Sequence, residues 1–261
     1  MFPLGDDNSN ISITPVVNIL LIAANVLVFV FFQQFGGDNQ FTYAYSTVPA
    51  EIVSGKDLVT PERYLRDPLT GARYSAPGLQ PTLIPVYLTL LTSMFMHGGL
   101  AHLFGNMLFL WIFGDNVENR LGHFRYLIFY LVCGVLASLA HVFSTVMFNG
   151  NPYIPSLGAS GAISGVLGAY LLLFPRQRVS VLLFYFITDV PAVVAIGLWF
   201  VFQLISGAGM LGSGSQGGGV AYAAHIGGFI AGLLLVGLFA IGRPKYTARR
   251  TRPSGRSDWG N

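Results

Sequence analysis

Long apolar runs, broken by short clusters of glycine, asparagine, proline and charge, organise this chain. A helix that crosses the bilayer hydrocarbon needs about 20 apolar residues, and the runs supply six candidate spans. The first covers residues 16–35 and stops at Gly36-Gly37-Asp38. Residues 36–99 then read as a long loop outside the membrane. Its polar part holds Lys56, Arg63, Arg66 and Arg73, and its apolar end, from Leu83, is too short to cross and is expected to lie in the interface. His97-Gly98-Gly99 breaks the pattern ahead of span two, at about residues 100–113. The charged run Asp115-Asn116-Val117-Glu118-Asn119-Arg120 reads as a short loop, and span three follows at about 125–148. Span four opens at Gly158 and ends before Pro175. Residues 179–189 are expected on the membrane surface, span five at about 190–206, a Gly/Ser linker at 207–217, and span six at about 218–241.

The pattern predicts an all-α integral membrane protein of six transmembrane helices. Its parts are an N-terminal segment (1–15), a helical domain (16–241) and a basic tail (242–261). Composition agrees: 53% of residues are hydrophobic and only 10% charged, against about 25% charged in an ordinary soluble domain. Six crossings put both termini on one side. Ten of the fourteen Lys and Arg fall there: Arg120, Arg125, Arg176, Arg178, Arg243, Lys245, Arg249, Arg250, Arg252 and Arg256. The other four lie in the long first loop, so both termini are expected to be cytoplasmic. The net charge of +3 is thereby explained by topology and anionic lipid, not by nucleic acid. The start of the chain lacks the positive stretch of a cleavable signal and the arginines of a transit peptide. The expected setting is therefore a prokaryotic cell (inner) membrane. Cys133 is the sole cysteine, which excludes an intrachain disulfide.

Polar side chains inside spans are expensive and mark function by default. Span two carries His102 and Asn106, four residues apart and so on one helix face; a helix-packing pair is the plainer alternative. His141 lies in span three, where bonding within the bundle accounts for it, and Ser164 in span four. Ser160 opens span four between Gly158 and Gly161. Its hydroxyl is left uncovered there, and first-turn amides without helical partners could stabilise an oxyanion. Gly161 and Gly165 repeat at helix spacing, as do Gly228 and Gly232 in span six. Two such small-residue stripes can pack backbone to backbone and bring His225 to Ser160. A neutral imidazole within reach of a serine is a general base. His97 reads as a turn or interface residue and His123 as part of the cytoplasmic loop. No His-x-x-x-His pair with a nearby carboxylate occurs, so neither a metal nor a cofactor is expected.

Four motifs occur in order: Phe95-Met96-His97-Gly98-Gly99-Leu100-Ala101-His102-Leu103-Phe104-Gly105-Asn106, Gly114-Asp115-Asn116-Val117-Glu118, Gly158-Ala159-Ser160-Gly161 and Ala224-His225-Ile226-Gly227-Gly228. Together they resemble the rhomboid intramembrane serine proteases over roughly residues 90–235. The resemblance implies the six-helix rhomboid bundle, with Ser160 as nucleophile and His225 as base in a dyad without an acid. It implies an oxyanion hole of His102, Asn106 and the Ser160 amide, and single-span membrane-protein substrates cut after a small residue. It fixes no oligomeric state. Two features depart from the family pattern. The tryptophans are Trp111, Trp199 and Trp259, so the first loop lacks the Trp-Arg pair of many members, and Ser164 stands where some carry an aromatic. A catalytically silent rhomboid-like protein that binds membrane clients is the alternative reading, although such relatives generally lack the serine or the histidine. A small transporter would call for inverted repeats, which are absent.

Overall fold

The structure, a computed structural model, describes residues 2–66, 73–213 and 222–243. It is mostly helical. In chain order the elements are β1 (Phe2–Asp6), α1 (Val16–Leu27, continued by a π turn to Phe32), α2 (Asn39–Ala44), α3 (Pro49–Ser54), the hairpin β2 (Arg63–Arg66) and β3 (Arg73–Ala76), and α4 (Thr89–Thr92) flanked by 3₁₀ turns. Then come α5 (Leu100–Leu121), α6 (His123–Met147), α7 (Ser160–Leu173), β4 (Arg178–Leu183), β5 (Phe186–Pro191), α8 (Ala192–Ser213) and α9 (Tyr222–Phe239).

Among the described residues, α6 and α9 are each long and apolar enough to cross a membrane. A third candidate is the pair formed by residues 86–95 and α5, bent by 81° where Gly98 and Gly99 interrupt it. Residues 16–32, α7 and residues 192–208 are shorter apolar helices.

Three expectations from the sequence need correction. The charged stretch 115–120 is not a loop: α5 runs through it and ends only at Gly122, whose φ of 81° favours glycine. Asp115, Asn116, Glu118 and Asn119 stay helical because residues 6–18 satisfy them. Glu118 accepts from the free amides of Val17 (3.0 Å) and Asn18 (2.7 Å) at the start of α1, an anion at a helix N-terminus. Asp115 accepts from Asn8, and Asn116 donates to Asp6 and Asn8. Secondly, the chain is not all-α, because residues 179–189 belong to the β4–β5 hairpin. Its β-branched and aromatic residues suit strands, and β1, from the supposed separate N-terminal segment, adds to β4 as a third antiparallel strand. Thirdly, residues 207–213 of the expected linker are helical, as the end of α8, while 214–217 lie outside the described residues, as does the basic tail from residue 244.

The small sheet closes the end of the bundle opposite Ser160. There Asp6 accepts from the Tyr170 hydroxyl at 2.5 Å and from Asn116 at 2.8 Å. Burial raises its carboxyl from the usual range to about 7, chiefly by desolvation, with the Asp115 and Asp7 charges adding to the effect. A carboxyl raised on folding keeps its proton in the folded state where the unfolded chain has lost it. Its contribution is therefore complete below about pH 4 and is lost as pH rises through about 7. Hydrogen exchange of the β1 amides is expected to quicken over that window in the wild type. In Asp6→Asn it should stay slow and pH-flat once corrected for intrinsic exchange; an unchanged pH dependence in that variant would assign it to another group.

The core is built around α7, which packs between α5, α6 and α9. A Cβ at Gly228 would collide with the carbonyl oxygen of Gly161, and one at Gly232 with that of Gly165. Gly161 and Gly165 in turn lie against Ala137 and Cys133 of α6. The paired positions 161/228 and 165/232 keep one offset, so α7 and α9 run parallel with backbones in contact.

Candidate active site

That register sets the geometry of the site. Ser160 is the first residue of α7 and His225 lies in the first turn of α9. The Ser160 hydroxyl oxygen lies in hydrogen-bond contact with Nε2 of His225, at 2.8 Å. His225 is buried, with the Trp199 and Tyr222 rings 6.2 and 6.4 Å away, centre to centre. These aromatics from α8 and α9 flank the imidazole where position 164 offers only a serine. Ser164 is itself buried and donates back to the Ser160 carbonyl at 2.6 Å.

Entry into α7 depends on Gly158. Its φ of +118° is one that side chains rarely adopt, and its amide is anchored to the Ser93 carbonyl at 2.8 Å. A Cβ there would also meet the His102 ring at 2.8 Å and the Asn106 amide nitrogen at 3.6 Å. Hence α5 presents His102 and Asn106 to the backbone just before Ser160. His102 Nδ1 accepts from the Gly98 amide at 3.3 Å, which leaves the ring proton to Nε2, on the edge of the ring that faces Gly158. Asn106 is buried, and its Nδ2 has no hydrogen-bond partner. A buried amide donor without a partner is costly, and here two side-chain donors converge beside the free first-turn amide of Ser160. A recess of about 20 Å³, enough for one water molecule, adjoins Ser160 and is lined by small residues including Ser138, Ser156, Gly161 and Ala224.

The remaining histidines lie outside this cluster or behind it. His97 is fully buried rather than interfacial; its ring packs edge-on to His102 at 5.1 Å, and its backbone is clamped through both polar groups by Gln33. His123 pairs with Glu118 at 2.5 Å at the opposite end. His141 is on α6, where its carbonyl accepts from Thr145. Among the described residues, no three His, Cys, Asp or Glu side chains gather as a metal site would require.

Sequence reasoning missed one residue at the site. Gln203 of α8 is buried and places Oε1 2.9 Å from Nδ1 of His225. The available signal was an amide in mid-span, one helical turn from Trp199 and so on the same face.

A helical membrane protein with a serine and a histidine hydrogen-bonded across two glycine-faced helices, and amide donors beside the serine, belongs to a narrow class of folds. The chain is a member of the rhomboid family: residues 85–241 match the Rhomboid domain model. It is 33% identical over 178 residues to Rhomboid protein 1, mitochondrial, of Saccharomyces cerevisiae, covering 68% of this chain and 49% of that one. It is 37% identical over 156 residues to Rhomboid protease GluP of Bacillus subtilis, covering 60% of this chain and 26% of GluP. A third relative, Presenilin-associated rhomboid-like protein, mitochondrial, of Homo sapiens, is 33% identical over 119 residues, covering 42% and 31% respectively. The chain spans half or less of the length of these relatives. Since two of them are mitochondrial by name, the comparisons give no support to a prokaryotic inner membrane.

Proposed function

We propose that this chain is an intramembrane serine endopeptidase acting on single-span membrane proteins. The observation that carries the proposal is the 2.8 Å contact between Ser160 Oγ and His225 Nε2. As the Ser160 oxygen attacks the scissile carbonyl carbon, His225 takes its proton, and the carbonyl electron pair moves onto oxygen. The Ser160 amide, Asn106 Nδ2 and His102 Nε2 stabilise that oxyanion. His225 then gives the proton to the departing amine, leaving an acyl-enzyme for water to hydrolyse. The recess beside Ser160 favours a small side chain next to the cut.

The topology proposed with this function has six crossings within residues 16–241, the three shorter apolar helices included. The parallel run of α7 and α9 supports it, since α8 must then cross back between them. Both termini are assigned to the cytoplasm by the distribution of Lys and Arg.

The purified chain in liposomes with a single-span reporter tests this reading. Two product fragments are expected; stable retention of the uncut reporter would instead identify a silent client-binding protein. Asn106→Ala is expected to lower kcat by about 10²-fold or less, since one donor of several is lost. Initial rates in detergent check this, and unaltered turnover would make Asn106 purely structural.

A further inference from the structure

We propose that Gln203 is a positioning residue for His225, an inference that rests on the proteolytic reading above. Its side-chain carbonyl accepts the Nδ1–H of the imidazole, so that the Nε2 lone pair is the one that faces Ser160.

A neutral imidazole carries one N–H, and only the tautomer protonated on Nδ1 can take a proton at Nε2. Within the bundle that choice has to be made by a partner of Nδ1, and Gln203 Oε1 is there at 2.9 Å. The location of Gln203 is otherwise hard to account for. It is buried, and it lines a cavity of about 450 Å³ whose other walls are apolar, among them Phe109, Phe113, Leu167, Ile196 and Phe202. An amide in such surroundings costs several kcal/mol unless it is hydrogen-bonded, and the bond to His225 satisfies its carbonyl oxygen. Trp199, one turn earlier on α8, packs against the same ring, so α8 fixes both the plane and the protonation site of the imidazole. A neutral amide also suits a membrane interior. It stabilises the imidazolium formed during attack through its carbonyl dipole, without the desolvation cost of a buried carboxylate. When Ser160 bonds to the carbonyl carbon, its proton passes to Nε2; the Nδ1–H stays in place, held by Gln203, until Nε2 releases its proton to the leaving amine.

The amide orientation matters, because the reverse one would donate its N–H into Nδ1 and leave Nε2 protonated and unable to act as base. Nitrogen-15 spectroscopy of the full chain in lipid nanodiscs, labelled at histidine, separates the two; the His225 signals are identified by their loss in His225→Ala. The wild type is expected to carry the proton on Nδ1. Gln203→Met, close in size but without the oxygen, is expected to give a mixture of tautomers and about a 10-fold lower kcat at unchanged KM, as for the loss of one hydrogen bond. Gln203→Glu retains an oxygen at the same reach and is expected to restore the Nδ1–H tautomer and most of the rate. It tests the same bond should Gln203→Met not fold. A wild-type Nε2–H tautomer, or Gln203→Met with unaltered kcat and tautomer, would overturn the positioning role while leaving the protease reading intact. Ser160→Ala cleaving at the wild-type rate would overturn both, since no proton would then move from Ser160.

Discussion

His225→Ala is expected to bring reporter cleavage down to background, a loss of about 10⁴-fold or more, with helix content and thermal unfolding little changed. The serine hydroxyl is a weak nucleophile at neutral pH, and among the described residues His225 is the side-chain base in hydrogen-bond contact with it. Removing the imidazole therefore removes the proton acceptor for attack and the donor for the leaving amine at once. Ser160→Ala is expected to be equally inactive. Combining the two is expected to be no worse than either, because residues that work as a unit do not contribute additively. Initial rates in liposomes, with circular dichroism as the check on folding, measure this. Independent losses that multiply would indicate that the two residues act in separate steps.

The second large effect concerns the backbone contact beneath the pair. In Gly228→Val the new side chain has to fit where a Cβ alone would collide with the Gly161 carbonyl oxygen and come within 3.2 Å of the Ala137 methyl. Helices α7 and α9 must separate, and His225, one turn away, moves with α9. A displacement of roughly 1 Å at a reacting group lowers rate by about 10²-fold. Stability should fall as well, because helices in lipid are held by close packing with no hydrophobic drive between them. Gly237 is the control: it lies on the same helix, but a Cβ there meets nothing within 4 Å. Gly237→Ala is expected to match the wild type in both rate and melting temperature. Equal behaviour of Gly228→Val and Gly237→Ala would remove the packing argument.

How legible the site was follows from what kind of signal each residue leaves in a sequence. Ser160 and His225 each stand in a glycine repeat of helical spacing, and a repeat of that kind implies a partner helix with a matching one. His102 and Asn106 share a helix face by spacing alone. Gln203 went unread, although an amide in mid-span is costly, because its partner lies on another helix and no local repeat marks the pairing. Buried His97, with Gln33 gripping its backbone from 64 residues away, left no local trace either. At the opposite end, β1 pairs with β4 across more than 170 residues, and the hairpin was absorbed into an apolar run. The stretch 115–120 looked like a loop since charge usually means solvent; its partners among residues 6–18 make it the end of a helix instead.

The claim that Ser160 is a nucleophile activated by His225 is tested most directly by a fluorophosphonate, which modifies activated serines, followed by mass mapping of the full chain in lipid. A single adduct on Ser160 is predicted for the wild type, and none for His225→Ala. An adduct on a different residue, or equal labelling of Ser160 in His225→Ala, would contradict the account.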